Sequence, residues 1–112
     1  MKPINKTVFI KSAQCPVFAW HLYRNLIKRD SSLNDDFLVL ESKNVHNMAK
    51  LMFPDGVHVS GGLADSLALT KQLTCDKNIK TIFGAVFEYD DFIAKADILT
   101  RTADGWQIIE VK

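Results

Sequence analysis

The sequence predicts an α/β fold of the α+β kind, with helices first and an antiparallel sheet after them. Three observations carry this. Apolar residues recur at three- and four-residue spacing through the first half. Ile, Phe, Val and Tyr crowd the region from Ile79 onward. Two short breaks, Asp90-Asp91 and Asp104-Gly105, divide that region into three strands. The 112 residues contain no repeat, low-complexity tract or linker, so residues 1–112 read as one domain.

The elements follow in order. Ser12 is a plausible N-cap for a helix carrying Cys15, Phe18, Ala19, Leu22 and Leu26 on one side. A second helix is expected over Leu33 to Met52, with Phe37, Leu38, Val45, Met48, Ala49 and Met52 as its buried stripe. Phe53-Pro54-Asp55-Gly56 stops it, because proline cannot continue a helix and Asp-Gly favours a turn. Val57-His58-Val59 is a short strand candidate, Gly61-Gly62 a break, and Leu63, Leu67, Thr70 and Leu73 or Thr74 suggest a third, shorter helix. Strands are then expected at Ile79 to Tyr89, Phe92 to Arg101 and Trp106 to Lys112, forming a three-stranded meander. Asp104-Gly105 reads as the two-residue turn of its second hairpin.

Composition removes several classes. Hydrophobic residues make up 47% of the chain, too many for a disordered protein. Fourteen basic and thirteen acidic residues give a charge of +1, which excludes a generally basic nucleic-acid coat but not a local basic patch. Two cysteines, Cys15 and Cys75, are too few for a disulfide scaffold. No apolar run reaches the roughly 18 to 20 residues of a membrane helix. The apolar stretch after Lys6 is too short for a signal peptide, so a reduced, cytoplasmic protein is expected.

Strand register brings the charged residues together. With Asp104-Gly105 as the turn, Asp97 lies opposite Lys112 and Leu99 opposite Glu110. The Asp90-Asp91 turn pairs Tyr89 with Phe92, Glu88 with Ile93 and Gly84 with Asp97. One face then carries Phe83, Ala85, Phe87, Phe92, Ala94, Ala96, Ile98, Ile109 and Val111. The other carries Gly84, Glu88, Lys95, Asp97, Arg101, Glu110 and Lys112. Asp97 and Glu110 on neighbouring strands, about 5 Å apart, would repel without a cation between them. Mg²⁺ or Mn²⁺ is the natural partner, and Gly84 leaves room beside Asp97. The plainer alternative is a solvated face of a half-buried sheet, against which stands the placing of Asp97 in a middle strand.

These residues resemble the PD-(D/E)XK nuclease superfamily, with Asp97 as the first half of its motif and Glu110-Val111-Lys112 as the second. The wider pattern is similar to the RecB-like branch, which includes CRISPR-associated exonucleases. It has Cys15-Pro16 before an aromatic helix, Ala49-Lys50-Leu51-Met52-Phe53-Pro54-Asp55-Gly56 closing another, and the strand pair Phe87-Glu88. The resemblance implies a restriction-endonuclease-like core and metal-dependent hydrolysis of phosphodiesters in DNA, with RNA also possible. It makes Asp97 and Glu110, with the Val111 carbonyl, the ligands of Mg²⁺ or Mn²⁺. It makes Lys112 the residue that orients the attacking water or stabilises developing charge. His46, in Lys43-Asn44-Val45-His46, matches a helix histidine that many RecB-like members use as a metal ligand, although the glycine of that pattern is absent. A packing or surface role for His46 remains open, as does one for Glu88 and Glu41.

Two departures bear on this. The cysteines of an iron–sulfur cluster are missing beyond Cys15, so no cluster is expected and Cys15 is assigned to helix packing. The superfamily core continues past its lysine with a helix and a strand, whereas Lys112 is the last residue here. The chain is thus expected to be the N-terminal part of a larger domain or protein, or a protomer completed by a partner. A homo-oligomer is expected from the open sheet edge. The reading from another class is a catalytically silent nuclease-like module that binds a partner or itself.

Overall fold

The computed structural model describes residues 2–27 and 33–112. Among them are four helices and a five-stranded open sheet, a mixed α/β architecture consistent with the α+β expectation. The elements are β1 (Ile4–Asn5), α1 (Lys6–Gln14), α2 (Pro16–Tyr23), α3 (Leu33–Leu51), β2 (Val57–His58), α4 (Leu63–Cys75), β3 (Thr81–Tyr89), β4 (Phe92–Arg101) and β5 (Trp106–Ile109). No helix among the described residues is long and apolar enough to cross a membrane.

The N-terminal helix is broken in two and starts earlier than expected. Asn5, not Ser12, caps α1: its Oδ1 accepts the Val8 N–H at 3.0 Å. Ser12 instead sits inside α1 and donates its hydroxyl to the Phe9 carbonyl. Cys15 has extended backbone, and Pro16 opens α2 at a position where its missing N–H costs nothing. Cys15 is exposed rather than buried in helix packing, a correction that follows from its place at this junction. Ala19 is the buried residue of α2.

The meander forms as expected, β3–β4–β5, all antiparallel, but its last strand stops at Ile109 and does not reach Lys112. The first hairpin keeps its register, with Tyr89 opposite Phe92 and Glu88 opposite Ile93. The second is shifted by two residues: Leu99 lies opposite Ile108, and Arg101 opposite Trp106. Thr102 N–H donates to the Gly105 carbonyl, so Ala103-Asp104 form the tip in place of Asp104-Gly105. Glu110 therefore does not face Leu99, nor Lys112 Asp97. A two-residue shift keeps every side chain on its face. Extended past Ile98–Ile109, the same register brings Glu110, not Lys112, to the level of Asp97.

The expected division into an apolar and a polar face holds only in part. Phe83, Ala85, Ala96 and Ile98 are buried as expected, but Ile82 and Leu99 on the other face are buried too. Ile82, Ala85, Ala96, Leu99 and Val59 form one cluster, closed by Leu69 and Leu73 of α4 and by Trp106. Residues three apart in an unbroken strand point to opposite faces. Here Gly84, at φ +70°, interrupts β3, and the Gly84–Asp97 position is absent from the paired ladder. Beyond it, Val86 N–H is taken up by the buried Thr70 hydroxyl of α4 at 3.0 Å. Arg101 leaves the expected polar group altogether. It donates to the carbonyls of Ile79, Thr74 and Asp76 and lies 4.1 Å from the Trp106 ring centre.

Helix α3 departs most. Its expected buried stripe is exposed: Phe37, Leu38, Met48 and Met52 are all more than 60% accessible. Only its C-terminal half, with His46, Ala49 and Lys50 half-buried, approaches the sheet.

Candidate functional site

The site lies on the outer edge of β4, where two short strands converge. β1 runs parallel to β4 at Phe92–Ile93, and β5 runs antiparallel to it at Ile98–Arg101. With β3 on the opposite edge, β1 and β5 share one edge and point toward each other across Ala94–Asp97. The residues following the two strand ends meet in that gap. Lys6, just after β1, donates to Glu110 Oε2, just after β5, at 2.8 Å. The Glu110 carboxylate, by its hydrogen bond and its charge, raises the Lys6 ammonium above the ordinary lysine range, and the Asp97 charge adds to this. The Lys6 side of the pair is charged at neutral pH and is lost as pH rises through that raised value.

Asp97 is held from two sides. Its Oδ2 accepts the Val111 N–H at 2.9 Å, which ties it to the Glu110-Val111-Lys112 segment. Its Oδ1 faces His46 Nε2 of α3 at 3.4 Å, both side chains being partly buried. His46 Nδ1 stands 2.8 Å from the Ser42 carbonyl. A carbonyl only accepts, so Nδ1 carries its proton and Nε2 is the nitrogen presented to Asp97. A neutral imidazole would then set two acceptors against each other, an arrangement that calls for a proton or a cation between them.

The 3.4 Å separation is a little longer than that of adjacent metal ligands. Neighbouring ligands of an octahedral ion, each at roughly 2.1 Å, stand about 3 Å apart. One imidazole nitrogen, carboxylate oxygens and a main-chain carbonyl form a donor set that Mn²⁺ or Mg²⁺ accepts. Two donors, His46 and Asp97, are together. Glu110 is engaged by Lys6, and among the described residues no group of three His, Cys, Asp and Glu side chains is placed to hold an ion. Lys112 is exposed and forms no hydrogen bond or ion pair with a described residue.

A cavity of about 260 Å³ opens beside the pair, lined by His46, Lys50, His58, Phe83, Lys95 and Asp97 among others. Gly84 borders it, and a Cβ there would come within 3.2 Å of Lys95 Cε. The cavity lies beside Asp97, but the space at Gly84 itself is taken by the Lys95 stem. Glu88 lies elsewhere, in a separate cavity against Leu67, Thr70 and Thr74 of α4. Glu41 is exposed on α3.

Sequence reasoning missed Lys6 and Lys50. Nothing local marks Lys6, whose role depends on a two-residue strand pairing with β4 nearly ninety residues away. Lys50 was within reach: it follows His46 by one helical turn, so the two share a face. Compared with protein families, with curated proteins and with solved structures, the chain has no match in any of the three.

Proposed function

We propose that this chain belongs to a metal-dependent nuclease of the RecB-like PD-(D/E)XK type, built on a restriction-endonuclease-like core. Its substrate would be DNA, with RNA as the alternative strand, and its setting the cytoplasm. The observation that carries the reading is the meeting of His46 Nε2 and Asp97 Oδ1 at 3.4 Å from elements about fifty residues apart. Two residues singled out on separate motifs come together on the edge to which Glu110 also belongs.

Asp97, His46 and Glu110, with the Val111 carbonyl, would hold Mg²⁺ or Mn²⁺. Such an ion lowers the pKa of a coordinated water and neutralises charge on the scissile phosphate. The chain's own residues prepare this. Ser42 keeps the proton of His46 on Nδ1, and Val111 N–H keeps Asp97 Oδ2 occupied so that Oδ1 points to the histidine. Glu110 would join through Oε1, its Oε2 being taken by Lys6. Lys112, the lysine of the Glu-x-Lys element, is assigned to orienting the attacking water or taking up developing negative charge.

A second reading, a catalytically silent module that binds a partner or itself, is favoured by the engagement of Glu110 with Lys6. Cleavage of single- and double-stranded DNA in Mg²⁺ or Mn²⁺ separates the two. The Asp97→Ala variant should lose roughly two orders of magnitude or more in rate, since an ion's charge stabilisation is worth several kcal/mol. Equal cleavage by wild type and Asp97→Ala would remove the assigned site. Absence of cleavage in a folded wild type would favour the silent module.

A further inference from the structure

We infer that Lys50 and Lys95 form a phosphate subsite beside Asp97, which holds a backbone phosphate of a single strand. The inference rests on the nuclease reading for the kind of anion, and on the cavity itself for its existence.

Lys50 enters from α3 and Lys95 from β4, and both line the 260 Å³ cavity with His46, His58, Phe83 and Asp97. The cavity's one carboxylate is Asp97, already engaged by Val111 N–H and facing His46. Neither lysine forms an ion pair or a hydrogen bond with a described residue. Their positions are nevertheless set. The Lys50 ammonium lies 5.8 Å from the Phe83 ring centre, and the same ring packs against His58 at 4.9 Å. The Lys95 stem lies over Gly84, where any side chain would press on it. Two ammonium groups in one cavity repel each other unless an anion lies between them. An oxyanion with several acceptor oxygens, such as a phosphodiester, satisfies both. Because Lys95 is two residues from Asp97 on the same strand and Lys50 one turn from His46, a phosphate held there lies next to the His46–Asp97 pair.

The test is made without metal. A fluorescent ten-nucleotide oligothymidylate is titrated into the full chain in EDTA over a range of salt, with inorganic phosphate as competitor. Lys50→Gln and Lys95→Gln should each weaken binding about three- to tenfold. The double variant should flatten the slope of log K against log salt by about 0.7, the value for one neutralised phosphate on a single strand. Lys77→Gln, an exposed lysine in the α4–β3 turn, should bind like wild type. No binding by wild type, a double variant with wild-type affinity and slope, or an equal loss in Lys77→Gln would each overturn the subsite. A chain that binds through the two lysines but never cleaves would keep the subsite and lose the nuclease reading, so the two failures are distinct.

Discussion

At the scale of single residues, Lys6 already holds the carboxylate that the proposed metal ion would use. Lys6 takes Glu110 Oε2 at 2.8 Å, and its positive charge offsets the negative charge a second cation would meet there. Lys6→Met should therefore raise Mn²⁺ affinity, by about threefold for an exposed ion pair. Glu110→Gln should lower it. A Mn²⁺ titration followed by the free-ion spin resonance signal measures both, and a Lys6→Met variant with unchanged or weaker affinity contradicts this. Asp97, Glu110 and His46 were legible in the sequence because each sits in a short motif whose pattern survives without the fold. Lys6 was not legible, because its role exists only once β1 pairs with β4. Cys15 misled for a related reason: helical spacing placed it on a stripe, but Pro16 restarts the helix there and leaves it exposed.

At the scale of elements, the interruption of β3 at Gly84 explains how one face of the sheet is both buried and open. A positive φ of 70° turns the strand, so Ile82 and Ala85 join one cluster while the cavity opens beside Asp97. Gly84→Ala should cost about 1–2 kcal/mol from the left-handed backbone alone. Urea unfolding reads this as a lower midpoint at constant slope. Wild-type stability in that variant would show that the turn in β3 is not required. The strands themselves were legible, since β-rich runs and their breaks are local signals. Their exact pairing in the second hairpin was not: Asp104-Gly105 is a favoured turn pair, yet the chain turns one residue earlier, through Ala103-Asp104. The stripe of α3, expected to be buried, is exposed. Amphipathic spacing states that a face must be covered and does not state by what.

At the scale of the whole molecule, the chain exposes more surface than its mass warrants. Its accessible area is 8720 Å², where a compact monomer of 12.6 kDa would show about 6,200 Å². Its radius of gyration is 16.0 Å, against about 13 Å for a compact chain of this length. Much of the apolar part lies on α3 and just after it, at Leu38, Met48, Leu51 and Met52, and near β1 and β4, at Phe9 and Phe92. The isolated 112-residue chain should therefore self-associate, and Met48→Glu should weaken that association. Light scattering at micromolar and higher concentration checks this, and a monodisperse wild-type monomer contradicts it. The central claim concerns the meeting point of α3 and β4, and Mn²⁺ binding by the folded chain tests it most directly. The account predicts about one Mn²⁺ per chain in the wild type, weakened at least tenfold in both His46→Ala and Asp97→Ala. A folded wild type that binds no Mn²⁺, or two variants that bind it as the wild type does, would contradict it.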